Sequence, residues 1–255
     1  MEKIKIYRFF LLLFTFVIIG FSSCSDDGND TGYTILMSTP NTGTNNDGTD
    51  NNETNNNEED TPTIIIGEAI DLGLTVKWAS CNVGATQPWE YGGYYAWGET
   101  EEKSDYEWYT YKYCNGGFTP MTKYCTSSSY GTVDNKTTLE PEDDVATVKW
   151  GGTWRMPTRA ELDELLNNCT WTYTTLNGVN GHRVTGPNGN SIFLPFAGYR
   201  NGQEVRGRGS YGDYWSSSLG SSYCDEAYDL AFDSGVFGLD SYDRTCGRSV
   251  RPVCP

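Results

Sequence analysis

The sequence predicts an α+β domain over residues 64–255, and three observations carry that prediction. Two helix start signals lie close together at 140–161, short alternating apolar/polar runs follow them, and Gly-, Tyr- and Trp-rich connections precede them. Helices followed by a twisted antiparallel sheet are an α+β plan. About 190 residues suit one sizeable domain, and no second linker divides them.

The chain leading to that domain reads as targeting and tether. Lys3, Lys5 and Arg8 precede a run from Phe9 to Phe21 that is apolar apart from Thr15 and Gly20. Roughly 13 residues cannot cross a bilayer core, which needs about 20, so residues 1–23 are expected to be a signal peptide. Small residues before Cys24 resemble a bacterial lipobox, which implies cleavage before Cys24 and acylation of its thiol. Ser25-Asp26-Asp27 resembles the acidic export signal of Bacteroides-type surface lipoproteins. The expected location is therefore the outer membrane, exposed on the cell surface. Residues 24–63 are rich in Asn, Thr, Asp and Gly, and from 25 onward hold nine acidic and no basic side chains. Such a stretch buries too little apolar surface to fold and is expected to be a disordered acidic tether.

Charge excludes some partners. The whole chain carries a net −16, and the folded part has no Lys/Arg stripe. Nucleic-acid binding requires phosphate neutralisation, so it is not expected. Membrane contact is expected through the lipid anchor only. Beyond Cys24 there are seven cysteines: Cys81, Cys114, Cys125, Cys169, Cys224, Cys246 and Cys254. In an exported protein they suggest disulfides. Cys114 with Cys125 is the first expected pair, and Cys81 with Cys169 or Cys224 with Cys246 come next; spacing alone does not fix them.

Each element has its own signal. After an apolar run at Ile64–Ile66, Ile70–Trp78 alternates as a half-buried strand. Residues 88–130 show no sustained period and read as a long ordered loop. Pro141 at a first helical position, followed by Glu142, Asp143 and Asp144, predicts a helix through Val145, Val148 and Trp150 to Gly151-Gly152. Thr158-Arg159-Ala160-Glu161 is a capping box, and Leu162, Leu165, Leu166 and Cys169 then line one helical face. His182–Thr185 and Ile192–Pro195 flank a Pro187-Asn188-Gly189-Asn190 turn and predict a hairpin. Tyr228–Phe232 and Gly235–Leu239 alternate as strands, and Arg248–Val253 is expected to close the sheet.

Six ordered segments give the chain a resemblance. They are Asp71–Ala79 with Asn82–Ala85, Tyr94–Glu99, Trp154–Thr158, Leu194–Arg200, Tyr214–Ser218 and Ser249–Val253. Together, over roughly residues 67–254, they resemble the Fibrobacter succinogenes major paralogous domain of surface lipoproteins. Trp154-Arg155-Met156-Pro157-Thr158 leading into a helix is also similar to the formylglycine-generating-enzyme and C-type-lectin-like superfamily. The resemblance implies a C-type-lectin-like α+β domain with a twisted antiparallel sheet, two helices and long irregular loops. Its oxidase branch would place copper on two cysteines, which draws attention to Cys246 and Cys254, but the Arg-rich context is not reproduced and fold kinship does not transfer activity.

No catalytic residue, metal site or cofactor is expected. His182, the only histidine, opens a predicted strand and reads as a structural imidazole. Ser216–Ser218 lack a nucleophile-elbow context and read as loop hydroxyls. Glu140, Glu142, Asp143 and Asp144 faintly resemble a lectin calcium motif, yet a helix N-terminus favours carboxylates anyway. Aromatic residues are the strongest signal. Trp78, Trp97, Trp154 and Trp215 are assigned to the core, and Trp89, Trp108, Tyr109, Tyr111 and Tyr211 to an exposed ligand-binding surface, joined by Arg206 and Arg208. The expected function is non-enzymatic binding of a glycan or surface protein. The alternative is a structural or accessory subunit of a surface filament, and an oxidase stands third.

Overall fold

Eleven strands and two α-helices form among residues 67–117 and 119–255, the part of the chain that this computed structural model describes. The leader, Cys24, the acidic linker and the Ile64–Ile66 run lie outside the described residues. In chain order the elements are β1 (Ala69–Ile70), β2 (Lys77–Ala79), α1 (Val145–Trp150), α2 (Arg159–Asn168), β3 (Thr170–Leu176), β4 (Val179–Thr185), β5 (Ser191–Pro195), β6 (Tyr199–Asn201), β7 (Glu204–Arg206), β8 (Gly212–Leu219), β9 (Glu226–Phe232), β10 (Phe237–Asp243) and β11 (Val253–Cys254). The strands pair antiparallel in the orders β1-β2-β11, β3-β4-β5, β10-β9-β8 and β6-β7. This is a mixed α+β arrangement. No helix among the described residues is long and apolar enough to cross a membrane.

The best helix signal has the expected cause. Thr158 Oγ1 accepts from Glu161 N (3.3 Å), and Glu161 accepts from Thr158 N (2.7 Å). Arg155 then grips the Glu161 carboxylate with both terminal nitrogens (2.7 and 2.5 Å). Leu162 and Leu165 are buried with Val184, Ile192, Tyr214 and Leu230, while Leu166 and Cys169 pack at the margin. Each buried leucine contributes about 1.5–3 kcal/mol.

The helix expected from Pro141 is interrupted. Pro141–Asp143 forms a 3-10 turn, and α1 starts only after Asp144. The Asp144 carboxylate accepts from Thr147 N (3.0 Å) and Met156 N (2.8 Å), so it caps α1 and cannot sit inside a continuous helix. Gly151, at φ 66°, ends α1 as anticipated.

Several strand expectations need correction. The Ile70–Trp78 run splits at a turn containing Gly73 (φ 75°), and its two ends pair with each other as β1 and β2. The expected β4–β5 hairpin forms, with Thr185 opposite Ser191. Only Gly189 of its turn residues has positive φ (88°). β3 was not anticipated; its Thr-rich sequence is mostly exposed or half-buried at a sheet edge. Ser216 and Ser217 are buried within β8, not in a loop, and Ser216 Oγ donates to the Tyr228 carbonyl (2.8 Å). Of the predicted closing strand, only Val253 belongs to β11.

The segment before β11 holds three fully buried arginines. Arg244 donates to the carbonyls of Tyr124 (3.2 Å), Cys224 (2.8 Å) and Lys123 (3.2 Å) and to the Tyr111 hydroxyl (2.9 Å). Arg248 pairs with Asp213 and with Asp229 (2.5 Å). Arg251 donates to Asn82 Oδ1 (2.8 Å) and to the Ala79 and Phe193 carbonyls (2.9 and 2.8 Å). Residues 244–252 form a buried strap whose arginines bond carbonyls and carboxylates of distant elements, while its backbone makes isolated bridges to Tyr95, Arg200 and Tyr214.

Two cores flank this strap. One gathers Trp97, Tyr106, Tyr111, Tyr113, Met121, Tyr124 and Trp215 under the long loop region; the other gathers Leu72, Trp78, Leu162, Leu165, Phe196 and Phe232 under α2. Trp78, Trp97 and Trp215 are core as expected, and Trp154 packs half-buried against it.

The expected disulfide pairs are not formed. All seven cysteines of the described residues are thiols. Cys114 donates to the Trp108 carbonyl (2.8 Å), Cys81 to the Ala85 carbonyl (3.3 Å), and Cys246 accepts from Asn201 Nδ2 (3.5 Å). Cys125 meets Cys224 instead of Cys114.

Candidate functional site

The short β6–β7 hairpin and the residues just after it hold three of the predicted ligand-binding side chains, Arg206, Arg208 and Tyr211. At its tip, Gly202 exchanges backbone hydrogen bonds with Tyr106 (2.9 and 3.3 Å), which docks the 105–110 turn there. Thr110 Oγ1 holds that turn by donating to the Asp105 and Glu107 carbonyls (2.7 and 2.9 Å). Tyr109 is consequently 63% exposed, its hydroxyl on the Asp105 carboxylate. Trp108 is half-buried and meets Tyr111 edge-on at 5.8 Å.

The base of the hairpin holds the rest. Gly207 has φ 67°, and a Cβ there would lie 1.9 Å from the Tyr211 ring. Glycine is required on both counts, and it lets Tyr211 lie flat across the chain. Tyr211 stands 6.1 Å from Tyr199, which stands 6.2 Å from Tyr242. Arg206 is exposed and paired with Glu204 (3.2 Å). Arg208 is exposed too; its guanidinium lies over Tyr91 (5.1 Å) and Tyr94 (5.4 Å), and Nε donates to the Tyr94 hydroxyl (3.1 Å). Beneath the rings, Arg248 lies against Tyr242 (4.8 Å) and Tyr199 (5.5 Å). Burial, then the neighbouring Tyr199, pushes the Tyr211 phenol up to about 12, so it stays a neutral donor.

Tyr111 is a correction. It is 2% exposed, donates to the Trp97 carbonyl (2.6 Å) and accepts from Arg244. The turn that presents Tyr109 outward rotates Tyr111 into the core. Trp89 is half-buried in the 87–90 turn, where the Glu90 carboxylate accepts from Thr86 N (2.7 Å) and Gln87 N (3.2 Å). It is Tyr91, two residues on, that meets Arg208. Tyr91, Tyr199, Tyr242 and Gly207 were missed as site residues. The Gly207-Arg208-Gly209 spacing was the one local signal available, since a guanidinium between two glycines is presented with little side-chain cover.

The remaining chemical candidates fall into place as packing. Glu140, Glu142 and Asp143 bring carboxylate oxygens within 4.8 Å of one another. Lys123 Nζ reaches all three (2.6, 3.5 and 2.5 Å), Lys112 reaches Asp143 (2.8 Å), and Lys136 reaches Glu140 (2.5 Å). Burial alone would raise Asp143, but hydrogen bonds from Lys112, Lys123 and Tyr124 hold it far below the usual carboxylate range. Ammonium groups fill the cradle a cation would use. His182 is buried, with Nε2 2.6 Å from the Asp233 carbonyl. Cys254 lies in β11 opposite Lys77, and Cys246 faces Asn201. An open depression of about 520 Å³ lined by Val83, Thr86, Glu101, Val148, Lys149 and Trp150 includes none of the predicted residues.

The described residues thus define a mixed α+β domain of mostly antiparallel strands, carrying a Tyr/Arg surface on a small hairpin. Within it, residues 184–253 match the domain of unknown function DUF8237. That segment holds the hairpin, Arg206, Arg208, Tyr211 and all three buried arginines, whereas Tyr91, Tyr94 and Tyr109 precede it. No curated protein and no solved structure matches the chain.

Proposed function

We propose that this protein is a lipid-anchored surface lipoprotein of the Fibrobacter succinogenes major paralogous type, with a C-type-lectin-like domain, whose work is non-enzymatic binding of a glycan, with a surface protein as the alternative ligand. The observation that supports the reading is exposed Arg208, held over Tyr91 and Tyr94 just after the hairpin that carries Tyr199 and Arg206, with Tyr211 three residues on. Flat rings offer stacking faces for sugar C–H groups, and guanidinium forks supply directional donors for hydroxyls or carboxylates. Both are rigidly mounted, so little side-chain entropy is lost on binding.

Glycan arrays and pull-downs with the purified protein test this. Arg208→Ala and Tyr91→Ala are each expected to weaken ligand binding at least about tenfold while the thermal midpoint stays within about 2 °C. Unchanged affinity in both variants would remove this face from the site. A filament-subunit role is the second reading, motivated by exposed Val236 and Phe237 at the start of edge strand β10. An exposed strand edge can accept another chain. Co-purification with filament proteins, together with no saccharide binding, would favour it.

A further inference from the structure

Cys125 and Cys224 come from distant parts of the sequence, and the fold sets their thiols against each other. Thr126 N donates to Cys224 Sγ (3.1 Å) across a separation of 98 residues, with Thr126 Oγ1 3.5 Å away. Cys125 Sγ donates to the Ser127 carbonyl (3.1 Å) and also hydrogen-bonds the Cys224 thiol. Both backbones are pinned. One Arg244 nitrogen takes the Cys224 carbonyl (2.8 Å) and the Tyr124 carbonyl (3.2 Å) together. The Asp134 carboxylate accepts from Tyr124 N (2.8 Å) and Cys125 N (2.9 Å). The other thiols described above are directed at carbonyls or amides.

We propose that Cys125 and Cys224 are the disulfide-forming pair of this domain, a covalent clamp between the irregular 111–139 region and the β8–β9 connection. The two thiols lose two protons and two electrons as the S–S bond forms. A disulfide of an exchange partner, either a thiol oxidoreductase or oxidised glutathione, accepts both and leaves as two thiols. Exchange proceeds before the site closes, because in the folded chain Cys125 is fully buried and Cys224 is 2% exposed. The same burial shields the finished bond from reductants. Their acidities differ. In the closed, reduced site burial pushes Cys125 up to about 11, whereas hydrogen bonds from Thr126 and Cys125 outweigh burial and lower Cys224. The clamp closes a long loop that spans both helices and strands β3 to β8, and constraint of the unfolded chain grows with loop length.

The test uses the full chain, reduced and then refolded with oxidised glutathione, followed by alkylation and peptide mapping without reductant. The expected result is one linked peptide joining Cys125 to Cys224, and a thermal midpoint roughly 5–10 °C higher than that of the reduced wild type. Comparing the two redox forms of the wild type avoids dependence on a variant that fails to fold. Cys224→Ser should abolish both the linked peptide and the redox-dependent shift. Absence of that peptide, or linkage of Cys125 to Cys114, overturns the proposal. Clamp formation in the cell also rests on the export reading. Quenching intact cells with acid and alkylating the unfolded protein separates the two: a cytoplasmic chain would show both cysteines alkylated although the purified protein still forms the bond.

Discussion

Arg248 is the residue on which the site and the core meet. Its guanidinium supports Tyr199 and Tyr242 from below and bonds both Asp213 and Asp229. One positive charge facing two buried carboxylates leaves a negative surplus, and the second oxygens, Asp213 Oδ2 and Asp229 Oδ1, are buried without hydrogen-bond partners. Burial first, opposed by Arg248 and reinforced by Asp213, raises Asp229 to about 7. An unfolded aspartate releases its proton near 3.9. Between those values the folded chain binds more protons than the unfolded one, so stability from this group is fully present below about pH 4 and is lost as pH rises towards 7. Thermal melts from pH 5 to 8 should therefore show the wild type losing stability relative to Asp229→Asn; parallel profiles would contradict the assignment. Arg248→Met strands two carboxylates and is expected to cost about 3–5 kcal/mol in urea unfolding.

At the scale of elements, helix α2 and the strap formed by residues 244–252 show two ways of satisfying backbone polar groups, one local and one long-range. Helix α2 does it locally, through its Thr158/Glu161 capping box. Thr158→Ala should destabilise the domain by about 0.5–2 kcal/mol, and Thr158→Ser by much less, measured by urea denaturation. The strap relies on long side chains that reach carbonyls elsewhere. At the hairpin tip, by contrast, Tyr106 and Gly202 hold each other through backbone hydrogen bonds. Gly207→Ala should displace Tyr211 and reduce ligand binding, with near-UV circular dichroism reporting the changed ring environment.

The whole domain behaves as one body if the strap is the bridge between its two cores. Arg244 lies under the aromatic core, and Val253 is packed in the α2 core. Thermal unfolding followed by tryptophan fluorescence and by far-UV circular dichroism should give coincident transitions; two separated steps would show the cores to be independent. Acid should act on the lysine–carboxylate cluster. The depressed folded value of Asp143 places its stabilisation above about pH 4, to be lost as pH falls below that.

Helix α2, the β4–β5 hairpin, β9 and the core tryptophans were legible in sequence because their signals are local: a capping box, a Gly-containing turn, alternation and large apolar rings. The grouping of Arg206, Arg208 and Tyr211 in one loop region, the basis of the candidate site, was legible as well. Tertiary structure alone decided which aromatics face outward, since Tyr109 and Tyr111 are two residues apart in one turn and differ only in where the chain rotates them. It alone buried Arg244, Arg248 and Arg251, because a guanidinium enters a core only where distant carbonyls or carboxylates converge on it. It likewise chose Cys224 over Cys114 as the neighbour of Cys125, because a thiol's partner depends on three-dimensional approach and sequence spacing carries no record of that.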